Sequence, residues 1–200
     1  MPIERDYFGA DTSTVVLGEG VEAFLAKPKP EGHGPYPAVI LGHERYGLVK
    51  HTLDLAARFA SYSYVCIAPD MASLWDGDKE ALNKGDARLT LTEDQIKFYM
   101  AKSLDYLQTQ PYVENSRIAA MGVCQSGAYP LLLNSIRPDT RVGAGFVSKT
   151  VQEPAGNRDP LSPSSSLATF LASVVGTRQS STPAAPLPPD EALAARLSRA

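Results

Sequence analysis

The chain has 200 residues, 44% of them hydrophobic, which is typical of a single globular domain. Its formal net charge of −3 provides no basic excess for binding nucleic acid. The chain has no apolar run of about 18 residues, and residues 1–6 are largely charged, so we expect neither a membrane span nor a signal peptide.

The first elements in chain order are predicted to be a hairpin, a buried strand and a helix. Residues 14–17 and 21–26 form two strand-like runs around a Gly-Glu-Gly turn. Residues 37–41 are apolar throughout, as in a strand that is covered on both faces. Apolar residues at helical spacing then predict an amphipathic helix over about 51–62.

The middle of the chain predicts two more buried strands with a long helix between them. Residues 64–68 and 117–123 are the two apolar runs. Residues 71–90 contain Gly, Asp and Lys, and we interpret them as an exposed excursion. A capping-box signal at Thr92 predicts the start of a helix that continues to about residue 110.

The last patterned elements are a predicted helix over about 125–136 and a predicted strand at 142–147. Apolar strands that alternate with helices predict an α/β fold, a doubly wound and mostly parallel sheet with helices on both faces. We assign residues 1–147 to this domain. Residues 148–200 are rich in Pro, Ser and Ala, which predicts a poorly packed or disordered tail with a short helix at 190–199.

Polar residues follow three of the buried strands. Ligands of parallel sheets bind beyond the carboxyl ends of the strands, so these turns should share one edge of the sheet. The turns carry His43-Glu44-Arg45, Asp70 and Cys124-Gln125-Ser126. Asp70 follows a proline and is interpreted mainly as a turn-forming residue.

The strongest chemical signal is the stretch 122–127, Gly-Val-Cys-Gln-Ser-Gly. A nucleophile type follows a strand, has small residues two before and two after it, and precedes a helix, which is the nucleophile-elbow pattern with Cys in place of Ser. The start of that helix would favour a thiolate and stabilise an oxyanion. Two alternatives stay open: Cys124 is merely a small core residue, or Ser126 is the nucleophile.

Four stretches together resemble the dienelactone hydrolase family of α/β-hydrolases. They are residues 43–48, 53–60, 64–70 and 122–127, and the resemblance covers about residues 15–147. It implies α/β-hydrolase topology and a hydrolase of ester or lactone bonds with Cys124 as the nucleophile.

The resemblance also implies roles for the neighbouring residues. Glu44 would pair with Cys124 and influence its ionisation, and backbone amides near Arg45 and at Gln125 would form the oxyanion hole.

The Arg45 side chain is a candidate for binding a substrate carboxylate, with a surface ion pair as the alternative. His43 is a candidate for substrate binding or for the base, with a loop-packing role as the favoured alternative.

Two features depart from the family. Ser126 stands where members usually have glycine. The family's order is nucleophile, Asp, His, but the chain's three histidines, His33, His43 and His51, all precede Cys124. Asp159 is the best of the later acids. The α/β-hydrolase sheet would therefore be incomplete at its C-terminal side, and a truncated or frame-shifted gene end is one explanation.

These departures leave more than one function open. The first is a hydrolase that becomes acylated but turns over slowly. The second is a non-catalytic α/β-hydrolase-like binding scaffold or an inactive product, and a flavodoxin-like binding fold is a weaker third. We expect a small-molecule ester or lactone as the partner, with no cofactor, metal, nucleic acid or membrane.

Two further expectations concern the setting of the chain. Cys66 and Cys124 are too few for a disulfide framework, which favours a cytoplasmic location. An uncovered sheet edge at 142–147 would allow a monomer or a weak homodimer.

Overall fold

The computed structural model describes residues 9–29, 34–138 and 143–147, and the side chains of the first two ranges. Within these ranges, six strands form one sheet. They are β1 (Asp11–Val16), β2 (Glu22–Lys27), β3 (Tyr36–Gly42), β4 (Val65–Pro69), β5 (Val113–Val123) and β6 (Gly143–Val147). The helices are α1 (Lys50–Ser61), α2 (Lys79–Lys84), α3 (Glu93–Thr109) and α4 (Tyr129–Ile136), and a 3-10 turn, the elbow turn, spans Cys124–Ala128.

The strand order is β1-β2-β4-β3-β5-β6. The hairpin strands β1 and β2 pair with each other and with β4 in antiparallel fashion, whereas β4, β3, β5 and β6 run parallel. Ile40 of β3 lies opposite Ile67 on one side and Ala120 on the other. The ends of β3, β4 and β5 therefore meet at one edge, which confirms the predicted α/β sheet.

Helices cover both faces of the sheet, which explains why the central strands are apolar throughout. Val39 and Leu41 point to the face where α1 packs, in one core cluster with Phe59. Ala38 and Ile40 point to the opposite face, in a second cluster with residues of α3 and α4. Successive strand residues face opposite sides, so a strand between two helix layers needs apolar residues at every position.

The predicted start of α3 is confirmed in detail. Thr92 is the N-cap, and its hydroxyl accepts a hydrogen bond from the Gln95 amide at 3.3 Å. The Gln95 side chain in turn accepts from the Thr92 amide at 2.9 Å. Local side-chain chemistry is enough to fix this boundary, because both partners lie within one turn.

Two expectations are wrong in part. Residues 71–90 are not exposed throughout, because they contain α2 and bury Met71, Leu82 and Leu89. The predicted helix at 125–136 begins as the elbow turn, and α4 follows only at Tyr129, with a proline in its first turn. Proline fits the first turn of a helix because it has no backbone N–H to satisfy there.

Several expectations lie outside the described residues. They concern His33, Asp159, the tail at 148–200 and its helix at 190–199. The domain boundary at residue 147 therefore stays a prediction. In the described parts of the chain, every helix is too short or too polar to cross a lipid bilayer.

Candidate active site

Cys124 is the first residue of the elbow turn and directly follows β5. Its φ is 57°, in the left-handed region that costs a non-glycine residue roughly 1–2 kcal/mol. Its side chain is exposed, unlike that of Cys66 in the core. A strained backbone that presents a nucleophile type is the geometry expected of a nucleophile elbow, and the alternative that Cys124 is a core residue is wrong.

Two glycines allow the elbow turn to press against the sheet. A Cβ at Gly122 would overlap the main-chain carbonyl of Ser126 and lie 2.8 Å from the nitrogen of Gly127. A Cβ at Gly42, at the end of β3, would lie 2.8 Å from both side-chain atoms of Ser126. The ends of β3 and β5 are therefore packed directly against the turn that carries Cys124.

Ser126 is fully buried, at 0% exposure. Its hydroxyl accepts a hydrogen bond from the Val123 amide at 2.8 Å and donates one to the Val123 carbonyl at 3.0 Å. A hydroxyl that is shielded from solvent, and that both donates and accepts a hydrogen bond with the main chain, is not available for nucleophilic attack. The structure therefore disfavours the alternative in which Ser126 is the nucleophile.

A cavity of about 640 Å³ opens beside Cys124. Apolar residues form much of its wall, and two arginines also contribute. The described lining residues are Arg45, Arg88, Leu89, Thr90, Leu91, Ile96, Cys124, Gln125 and Tyr129. The cavity therefore suits a ligand with an apolar body and an anionic group.

The Gln125 side chain connects the elbow turn to the cavity wall. Its amide nitrogen donates to the Leu89 carbonyl at 3.3 Å and lies 3.5 Å from the Tyr129 hydroxyl. Gln125 therefore contributes a backbone N–H next to Cys124 and also a side-chain contact to the segment before α3.

The two arginines have different surroundings. The Arg45 guanidinium donates to the Gly85 carbonyl at 3.2 Å and lies 4.7 Å from the centre of the Tyr46 ring. Arg88 is exposed, and within residues 9–29 and 34–138 no hydrogen-bond or ion-pair partner is found for it. Arg88, which the sequence analysis missed, is therefore the more available cation at this cavity.

Glu44 lies beside a histidine of α1. Its carboxylate oxygen Oε1 lies 3.5 Å from Nε2 of His51 in α1, and Glu44 is not among the residues that line the cavity. His51 is an exposed residue at the start of α1, and the expected pairing of Glu44 with Cys124 stays a prediction.

His43 lies in the fold as a packing residue. It is 5% exposed, its Nδ1 donates to the Glu44 carbonyl at 2.7 Å, and its Nε2 accepts from the Met71 amide at 3.2 Å. Both ring nitrogens are thus used by the main chain, which is the loop-packing alternative. Burial lowers the pKa of His43, although the Glu44 carbonyl and the Asp70 carboxylate oppose this.

We expect acid to weaken the fold through His43. The unfolded chain takes up a proton at this histidine below about pH 6.5, whereas the folded chain does so only at lower pH, so stability falls as pH drops. The free energy of unfolding should fall by up to about 2 kcal/mol between about pH 7 and pH 5. Urea unfolding at both pH values measures this change.

The comparison is between the unmodified chain and His43→Gln, which removes the buried imidazole. His43→Gln should flatten the pH dependence. The same pH dependence in both proteins would contradict the assignment to His43.

Two remaining candidates have structural roles. The Asp70 carboxylate accepts a hydrogen bond from the Ala72 amide at 2.9 Å, which confirms a turn-forming residue. Cys66 is completely buried in β4, and burial raises the pKa of its thiol. Within the described residues, no group of three His, Cys, Asp or Glu side chains is arranged to hold a metal ion.

Comparison with known proteins is consistent with this geometry. A Yersinia pestis protein named as a carboxymethylenebutenolidase is 25% identical over 146 residues, 72% of this chain and 54% of that protein. A Bradyrhizobium protein named as a 2-oxo-3-(5-oxofuran-2-ylidene)propanoate lactonase is 27% identical, over 79% of this chain and 63% of its own length. The chain thus spans between half and two thirds of these relatives.

Solved structures and a family match agree with the relatives. A solved Klebsiella pneumoniae structure described as that of a dienelactone hydrolase superposes with a TM-score of 0.57 at 25% identity, covering 74% of this chain and 63% of that one. The sequence model of the dienelactone hydrolase family matches residues 21–168. On this match, the chain belongs to the dienelactone hydrolase family.

Proposed function

We propose that this chain is a hydrolase of carboxylic esters and lactones with Cys124 as its nucleophile. The observation that carries the proposal is an exposed thiol in the left-handed region at the end of β5, beside a cavity of about 640 Å³. Family membership and the names of two relatives, a carboxymethylenebutenolidase and a lactonase, support the substrate class.

The first step is attack of the Cys124 thiolate on the substrate carbonyl carbon. A C–S bond forms while the carbonyl electron pair moves to oxygen, which becomes an oxyanion. The backbone N–H groups of Gln125 and Arg45 are the proposed donors, and each such donor is typically worth about 3–4 kcal/mol. The C–O bond then breaks, the alcohol leaves with a proton from water, and a thioester remains on Cys124.

The second step is hydrolysis of that thioester by water, which normally needs a general base. The described histidines, His43 and His51, do not line the cavity, and no histidine follows Cys124 within these 200 residues. Loss of a general base commonly slows a reaction by about 10²–10⁴-fold. We therefore infer that acylation proceeds and that deacylation is the slow step.

A chromogenic activated ester tests the proposal. We expect a burst of one equivalent of alcohol per chain, followed by slow release. Peptide mass mapping should place the acyl group on Cys124, with Cys66 as an internal control in the same molecule. The buried Cys66 should stay unmodified in the folded chain because solvent does not reach its sulfur.

Each other result has a definite meaning. If neither cysteine is acylated, or both react slowly and equally, the chain is a binding scaffold and the proposal fails. If alcohol release continues beyond one equivalent per chain at its initial rate, the inference of slow deacylation is wrong, and acylation of Cys124 in the mass map alone identifies the nucleophile.

We also propose that Arg88 binds an anionic group of the substrate. Its guanidinium has no protein partner in the described residues, and the cavity wall beside it is apolar. Arg88→Gln should raise the substrate concentration for half-maximal acylation about tenfold for an ester that carries a carboxylate. Burst rates over a range of substrate concentrations measure this value.

Two controls sharpen that prediction. For the same ester with its carboxylate capped as a methyl ester, Arg88→Gln should leave the substrate concentration for half-maximal acylation unchanged. Arg45→Gln should act mainly on stability, because Arg45 is already bonded to Gly85 and stacked on Tyr46. Equal effects of Arg88→Gln on the charged and the capped ester would contradict the role.

A further inference from the structure

The Ser126 hydroxyl holds the main chain immediately before Cys124. It donates to the Val123 carbonyl at 3.0 Å and accepts from the Val123 amide at 2.8 Å. That carbonyl belongs to the peptide unit that joins Val123 to Cys124. Because the peptide unit is planar, fixing its carbonyl fixes the whole plane from which the φ of Cys124 is measured.

The surroundings of Ser126 leave its side chain little freedom. The residue is 0% exposed, and a Cβ at Gly42 would lie 2.8 Å from its Cβ and its Oγ. On the other side, its own main chain is packed against Gly122. Ser126 is thus enclosed by the ends of two strands, so that its hydroxyl stays directed at Val123.

The conformation at Cys124 needs such support. A φ of 57° is unfavourable for a cysteine and persists only when neighbouring groups impose it. We propose that Ser126 is a positioning residue, whose hydroxyl keeps Cys124 in the left-handed conformation that presents the thiol to the cavity. This inference rests on the proposed function in that it takes Cys124 as the nucleophile.

The experiment compares two buried serines. Ser126→Ala removes both hydrogen bonds to Val123. Ser103→Ala is the matched control, since Ser103 is also 0% exposed and donates to the Tyr99 carbonyl at 2.9 Å, but lies in α3. The rates of iodoacetamide alkylation of Cys124 and of burst acylation are measured for each variant under conditions where all variants are folded. Urea unfolding of each variant measures its stability separately.

We expect Ser126→Ala to slow both reactions of Cys124 about tenfold, because small misplacements of a reacting group have large effects on rate. Ser103→Ala should stay within about twofold of the original chain. If both variants lose stability but neither changes the reactions of Cys124, Ser126 is a structural residue only and the inference is overturned.

Failure of this inference is separable from failure of the proposed function. If Cys124 of the unmodified chain alkylates no faster than it does in the urea-unfolded chain, the activated nucleophile itself is absent. If it alkylates fast in the unmodified chain and equally fast in Ser126→Ala, only the positioning role is lost.

A second variant covers the case in which Ser126→Ala does not fold. Ser126→Gly lacks the same hydroxyl, adds no steric conflict with Gly42, and places at this position the residue that family members usually have. We expect slower reactions of Cys124 in this variant too, because glycine makes no side-chain hydrogen bond to Val123 and adds main-chain freedom beside Cys124. If Cys124 reacts as fast as in the unmodified chain, packing of the elbow turn alone supports the left-handed conformation and the inference is overturned.

Discussion

Cys124→Ala is expected to abolish the burst with an activated ester, a loss of at least about 10³-fold in acyl transfer. The substitution removes the sulfur that attacks the carbonyl but keeps the Cβ, so that the cavity wall changes little. The side chain is exposed, and we therefore expect only a small change in the free energy of unfolding. Stopped-flow release of alcohol and urea unfolding measure the two quantities.

The matched control is the other cysteine. Cys66→Ala shortens a fully buried side chain in β4 and should lower stability, while the burst per folded chain stays intact. This crossed pattern separates the loss of a nucleophile from the loss of a fold. A burst of full size in Cys124→Ala would assign the reaction to another group.

Cys124→Ser tests the missing base in the same assay. A thiol reaches its reactive anion without help far more readily than a hydroxyl does. No described histidine lines the cavity, so a serine at this position would have no described histidine to activate it. We expect Cys124→Ser to be as inactive as Cys124→Ala, and retention of more than about a tenth of the burst rate would point to a base.

The fold could be predicted from the sequence wherever one local signal decided the structure. The apolar runs within β3, β4 and β5 are buried on both faces, as expected of parallel strands between two helix layers. The capping box at Thr92 is complete within four residues. The elbow pattern was visible because a strand, a turn and a helix must follow one another in the chain.

The contents of the cavity could not be predicted in the same way. Arg88 lies in a segment whose charge and glycine content suggested exposure, and the segment's place beside Cys124 depends on packing of Leu82 and Leu89 into the core. The contact between Glu44 and His51 depends likewise on where α1 begins. Such pairings are tertiary, and residue type alone does not determine them.

The role of His43 likewise depends on a tertiary contact that the sequence alone does not predict. Its position after β3 correctly placed it at the edge of the sheet where the cavity lies. Only the structure shows that the Met71 amide, 28 positions away, occupies the ring nitrogen that a base would need free. A histidine near a site is therefore not evidence for a base until both ring nitrogens are accounted for.

Gly122→Ala is expected to destabilise the chain by about 4 kcal/mol or more, the second large effect. The added Cβ would overlap the main-chain carbonyl of Ser126 and lie 2.8 Å from the nitrogen of Gly127. Neither group can move without opening the elbow turn, because both belong to the main chain. The midpoint of urea unfolding measures the loss, and the burst should vanish with it.

A double-mutant comparison identifies which atoms conflict with the methyl group added at each glycine. At Gly42 the conflict is with the side chain of Ser126, 2.8 Å away, so Ser126→Gly should offset most of the cost of Gly42→Ala. At Gly122 the conflict is with main-chain atoms that every residue carries, so Ser126→Gly should give no relief there. If Ser126→Gly rescues both glycine variants, the Ser126 side chain alone separates the sheet from the elbow turn. In that case the main-chain contact at Gly122 does not hold Cys124 in place.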